Sequence, residues 1–195
     1  MEKEQLTPEK SLELIGQMIT TARKEFNDNG FMYLLWGWFA FSAALAHYAL
    51  MWVEYEYAFL PWAVLMPLGG IISAIYSATR GKKQLRRVKT WVDRVMGYVW
   101  MAIVLALFVT LGVASRIGWE VSYPFLILLY GVGTFISGGI MQFRPLIAGG
   151  ILCWVISAVA FFVSFDIQLL LLACALLVSY IVPGHILRHQ YSKNV

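Results

Sequence analysis

Charge is what this chain lacks. Only 13% of its 195 residues are Asp, Glu, Lys or Arg, while 60% are hydrophobic; a soluble domain carries about 25% charged residues. The deficit is sharpest inside the long apolar runs, whose central portions hold no Asp, Glu, Lys or Arg. Intramembrane ionisable groups mark proton relays and ion paths, so this absence argues against a proton-coupled transporter or ion pump. Cysteine is scarce too. Cys153 and Cys174 both fall inside apolar runs, where a thiol acts as a small packing group, and they indicate neither a disulfide framework nor a metal site. The P-loop, the HExxH helix and the nucleophile elbow are missing, and Gly131-x-Gly133 lacks the third glycine and the strand context of a dinucleotide site. Thirty polar-rich residues precede the first apolar run, unlike a secretory signal. The expectation is no cleaved signal and a first span that directs insertion.

What remains is apolar length. A helix needs about 20 mainly apolar residues to cross the hydrocarbon core, and such runs occupy 31–53, 59–79, 95–114, 122–143, 145–165 and 167–183. The expected fold is therefore an all-α integral membrane protein, a six-transmembrane-helix bundle with an N-terminal amphipathic cytoplasmic helix. Its parts are a helix and turn at 1–30, the bundle at 31–183 and a basic tail at 184–195.

The basic residues orient it. In a six-span arrangement with the N-terminus inside, fourteen of the fifteen Lys and Arg face the cytoplasm and only Arg116 faces out. Excess Lys and Arg on cytoplasmic loops sets topology, so both termini are expected inside. The stretch RGKKQLRRVK concentrates Arg80, Lys82, Lys83, Arg86, Arg87 and Lys89 in ten residues. It has no base-stacking aromatics and is held between two apolar runs. It reads as a topological marker that touches anionic lipid headgroups; no nucleic-acid partner is expected.

Ahead of the first run, LTPEKSLELIGQMITTARKEFNDNG reads as one helix. Thr7 suits the N-cap and Pro8 the first helical position; Leu12, Ile15, Met18, Ile19, Ala22 and Phe26 draw one apolar stripe. Asn29 and Gly30 supply the stop. Residues 1–30 hold six acids and four bases, so the helix is expected to dock on protein near the basic loop, not on lipid.

Glycine pairs recur inside the runs: Gly69 and Gly70, Gly138 and Gly139, Gly149 and Gly150. Small residues let membrane helices approach closely. The last two pairs flank the turn Phe143-Arg144-Pro145 at equal distances, so they are expected to meet across a tight hairpin. Polar candidates are few. His47, with Glu54 and Glu56 beyond it, forms one candidate polar site. Glu54, Glu56, Glu120 and Asp166 could together suit a hard cation, and His185 and His189 have the spacing of a helical metal pair, but neither group has a complete ligand set. No catalytic residue, cofactor or metal site is expected.

The segments SLELIGQMITTARKEFNDNGFMYLLWGW and YIVPGHILR resemble a family of small bacterial multi-span membrane proteins. The resemblance implies a multi-pass protein of the bacterial inner (cytoplasmic) membrane and brings no reaction and no site residue. Three function classes follow. First is a membrane-embedded interaction or regulatory module, whose partners are membrane lipids and either a cytoplasmic protein or a second copy. Second is a passive transporter or channel for a neutral or amphiphilic solute, and third an intramembrane enzyme.

Overall fold

A computed structural model describes residues 30–83 and 91–193. Among these residues the chain is helical throughout, apart from short connections. The helices are α1 (Phe31–Trp52), α2 (Leu60–Lys83), α3 (Trp91–Ile117), α4 (Trp119–Ile140), α5 (Arg144–Ala160), α6 (Phe165–Leu176) and α7 (Val182–Lys193); a π-helical turn, Leu177–Ile181, joins the last two. The N-terminal segment, Arg86, Arg87 and Lys89 lie outside the described residues.

Five helical segments are long and apolar enough to cross a membrane: Phe31–Trp52, Leu60–Thr79, Arg94–Ile117, Trp119–Ile140 and Phe165–Gln190. The expected span at 145–165 is the exception. Helix α5 has 17 residues, about 26 Å at 1.5 Å per residue, which is slightly short of a hydrocarbon core of about 30 Å. The last span also differs. The chain does not leave the helix at Pro183-Gly184 but continues to Lys193. Proline has no N–H for the carbonyl four residues earlier and crowds it; here that carbonyl is Ser179, inside the π-turn, whose wider ring accommodates the misfit.

The turns explain themselves locally. At the end of α1, Tyr55 N–H bonds Leu50 C=O and Glu54 N–H bonds Met51 C=O, both at 3.0 Å. After α4, Phe143 N–H reaches Gly138 C=O at 2.8 Å and Gln142 N–H reaches Gly139 C=O at 3.2 Å. Both are Schellman stops, which need a left-handed residue just past the helix. Glu54 (φ 54°) and Gln142 (φ 51°) take that position without the freedom of glycine. A single residue, Gly118 at φ 92°, separates α3 from α4, in a conformation that disfavours any Cβ.

Four helical rods make the core: α1, α4, α5 and the continuous α6–π–α7. The face of α1 defined by Ala40, Ala43, Ala44 and His47 is buried at three- and four-residue spacing, and α1 lies along α6, the π-turn and α7. Ile127, Leu146, Leu169, Leu172 and Leu176 fill the interior completely. Among the described residues the backbone of α2 runs along α1 and that of α3 along α4. They are outriggers: 6% of the apolar window of each is buried, against 50% for α4 and for the last span.

Glycine contacts revise the expected hairpin. Helices α4 and α5 are the most intimate pair, but their glycine pairs do not meet each other. A side chain on Gly138 would lie 2.7 Å from Ile147 N, one on Gly150 would strike Phe135 and the Gly131 carbonyl, and one on Gly131 would strike Trp154 and Cys153. Gly139 faces open space, and Gly149 abuts Ser179 and Val178 of the π-turn. Counting outward from Phe143–Pro145 misplaces the register, because the stop after α4 uses up Met141 to Phe143 before α5 begins. In α2, Gly69 packs on Phe39 and Trp36 while Gly70 is open, so one small-residue ridge is used and its neighbour is not.

The described part of the first segment that carries the resemblance, from Gly30 on, packs on the second. A side chain on Gly30 would lie 2.6 Å from the Gly184 carbonyl, and one on Gly37 would lie 2.8 Å from Tyr180 Cβ. Gly37 and Gly149 thus grip the π-turn from opposite neighbours, α1 and α5.

Candidate functional site

Polar side chains inside the bundle serve mainly its own backbone. Ser122 donates to Gly118 C=O at 2.8 Å, Thr134 to Tyr130 C=O at 2.9 Å, Ser157 to Pro124 C=O at 2.8 Å and Ser179 to Ala175 C=O at 2.6 Å. Gln168, 1% exposed, is the most connected. Its Nε2 points at the carbonyls of Glu120 (2.8 Å), Ala160 (3.0 Å) and Val163 (3.3 Å). The first of these is the carbonyl four residues before Pro124, which cannot supply its helical N–H. The other two belong to the end of α5 and the turn after it, where carbonyls have no intrahelical partner. Sequence reading passed over Gln168, an isolated amide in an apolar run; the orphaned carbonyl before Pro124 is the signal that points to it.

Two aromatic clusters lie at opposite ends of the bundle. The first holds His47. Trp62 Nε1 donates to His47 Nδ1 at 3.1 Å, and the Tyr123 hydroxyl stands 3.5 Å from the same nitrogen. Phe165 meets the His47 ring edge-on at 5.7 Å and the Tyr123 ring at 4.9 Å, and Tyr123 also contacts Trp62 and Trp119. Four helices converge here: α1, α2, α4 and α6. A pairing of His47 with Glu54, one of the partners open to it from the sequence, is not formed among the described residues. Glu54 is exposed and serves as the left-handed stop of α1, while Glu56 is exposed in the loop beyond. Trp62, fifteen residues from His47, occupies the nitrogen instead.

The second cluster centres on Tyr180 of the π-turn, ringed by Tyr33 (5.9 Å), Trp100 (6.2 Å) and Tyr130 (5.7 Å). Trp100 also meets Tyr33 at 6.1 Å, which carries α3 across to α1. Among the described residues the Tyr180 hydroxyl, the Ser73 and Ser137 hydroxyls and the Gln168 Oε1 are sealed and have no hydrogen-bond partner. Trp62 and Trp100 are therefore the ties that hold the outriggers across the bundle, one near each end.

The remaining candidates stay apart. Glu120 and Asp166 are exposed, as are His185 and His189, and His185 meets the Trp38 ring edge-on at 6.5 Å. Among the described residues no three His, Cys, Asp or Glu side chains gather where they could hold a metal ion. Arg80, Lys82 and Lys83 end α2. Cys153 is buried, 3.7 Å from the Ala175 carbonyl, and Cys174 is exposed. Compared with known proteins, the chain matches no family model, no curated protein and no solved structure.

Proposed function

We propose that this is a multi-pass protein of the bacterial inner membrane, with both termini cytoplasmic, that works as an interaction or regulatory module. The observation that supports it is the contrast between core and outriggers. The core spends most of its hydroxyls and its one buried amide on its own carbonyls, which is the pattern of a scaffold and not of a polar path for solute. Helices α2 and α3 instead leave whole faces uncovered, with Val64, Leu68, Ile71 and Ile75 on one and Met101, Leu105, Phe108 and Val109 on the other. In a bilayer those faces meet lipid or the spans of another protein. Helix α5 packs one side against α4, α6 and the π-turn and leaves Ile151, Leu152 and Val155 exposed on the other.

The test is site-specific photocrosslinking in native membranes, with the probe at Ile75 or Phe108 and, for comparison, at Val155 on α5. One discrete protein adduct from α2 or α3, absent from Val155, supports the module. Lipid adducts alone from all three positions contradict it.

A further inference from the structure

We infer that His47 offers its Nε2–H as a hydrogen-bond donor to a carbonyl oxygen of a membrane amphiphile. The inference rests on the membrane reading above and goes beyond it by naming a site and the chemistry of its ligand. An indole N–H can only donate, so the 3.1 Å bond from Trp62 makes His47 Nδ1 an acceptor. The proton of the neutral ring then sits on Nε2. Among the described residues nothing accepts from Nε2, and the ring nitrogen is not one of the sealed, partnerless atoms. A donor is thus preset and left free.

Its surroundings select the acceptor. Phe165 meets the ring edge-on and Tyr123 completes an aromatic collar with Trp62. The nearby acids Glu54 and Glu56 are exposed in the loop, so no cation is prepared for. A single neutral donor does not match an anion either. It matches a neutral carbonyl on an apolar body. His47 lies five residues inside the end of α1 at Trp52, about 7 Å along the helix axis, where interface gives way to hydrocarbon. Two membrane components bring a carbonyl to that depth: the ester of a phospholipid and the head of a lipophilic quinone.

Nitrogen-15 NMR separates them. Full-length protein carrying His185→Gln and His189→Gln, both exposed on α7, retains His47 as its single histidine. It is placed in nanodiscs of ester-linked phosphatidylcholine, in nanodiscs of the diether analogue, and in the latter with a short-chain ubiquinone. The expected result is an Nε2–H tautomer in all three, with the Nε2–H proton resonance shifted by more than its linewidth in at least one comparison. A shift between ester and ether bilayers identifies the lipid ester; a shift only on adding quinone identifies the quinone. Trp62→Phe should then mix the tautomers and shrink that shift. An unchanged, freely water-exchanging Nε2–H in all three preparations, or an Nδ1–H tautomer, overturns the inference.

Discussion

The side-chain amide of Gln168 donates a 2.8 Å hydrogen bond to the carbonyl of Glu120, the group that Pro124 leaves without a helical donor. A proline on one span is therefore compensated by a glutamine on another. Losing one such part-buried bond costs about 0.5–1.5 kcal/mol. Gln168→Leu should lower the melting temperature in detergent, and by less in a Pro124→Ala background, where residue 124 regains its N–H. Equal losses in both backgrounds would show that the amide does not serve the Glu120 carbonyl.

Glycines of one pair should behave differently. Leucine at Gly138 or Gly150 collides with Ile147 or with Phe135 and the Gly131 backbone, and overpacking typically costs about 1–3 kcal/mol. Leucine at Gly139 or Gly70 meets open space. Thermal unfolding of the four single variants should separate them two and two; uniform losses would contradict the register.

Much of this was legible in the sequence, and the misses have physical causes. Apart from the last, which runs on to Lys193, the helices begin and end within about five residues of the apolar runs, because burial of backbone polar groups in an apolar medium leaves helix as the available solution. Register between helices was not legible. The Gly138 and Gly150 contacts depend on how many residues the left-handed stop at Gln142 consumes. Nearness along the chain offers Glu54 as one partner for His47, whereas Trp62 reaches it from a neighbouring helix. Gln168 was overlooked because its three acceptors lie on two other helices and a turn. The N-terminal stripe from Leu12 to Phe26 and the loop around Arg86 lie outside the described residues.

Helix stops offer a gain in stability. Glu54 and Gln142 hold φ values of 54° and 51°, which cost a non-glycine residue about 1 kcal/mol. Glu54→Gly and Gln142→Gly should each raise the melting temperature, and Glu54→Gly should leave the His47 tautomer unchanged. A fall for both would mean that their side chains hold contacts that outweigh backbone strain.

At the π-turn, the Tyr180 hydroxyl is buried without a partner, while its ring meets three others. Removing a sealed, unpaired hydroxyl is neutral or favourable; each aromatic contact is worth about 0.5–1.5 kcal/mol. Tyr180→Phe should melt at or above wild type and Tyr180→Leu well below it. A marked loss on Tyr180→Phe would reveal an ordered partner for the hydroxyl.

The central claim is that the core commits most of its buried Ser and Thr hydroxyls and the Gln168 amide to its own carbonyls, offers no polar path, and works through its outer faces. The most direct measurement is cysteine accessibility in intact cells, in a Cys153→Ala, Cys174→Ala background, with a membrane-impermeant thiol reagent. Cysteines at Glu56 and Glu120 should label, and cysteines at Ser122, Ser157 and Ser179 should not until the protein is unfolded. Labelling that ran from Ser122 through Ser157 to Ser179 would mark a water path through the core, and the account would give way to a channel or transporter.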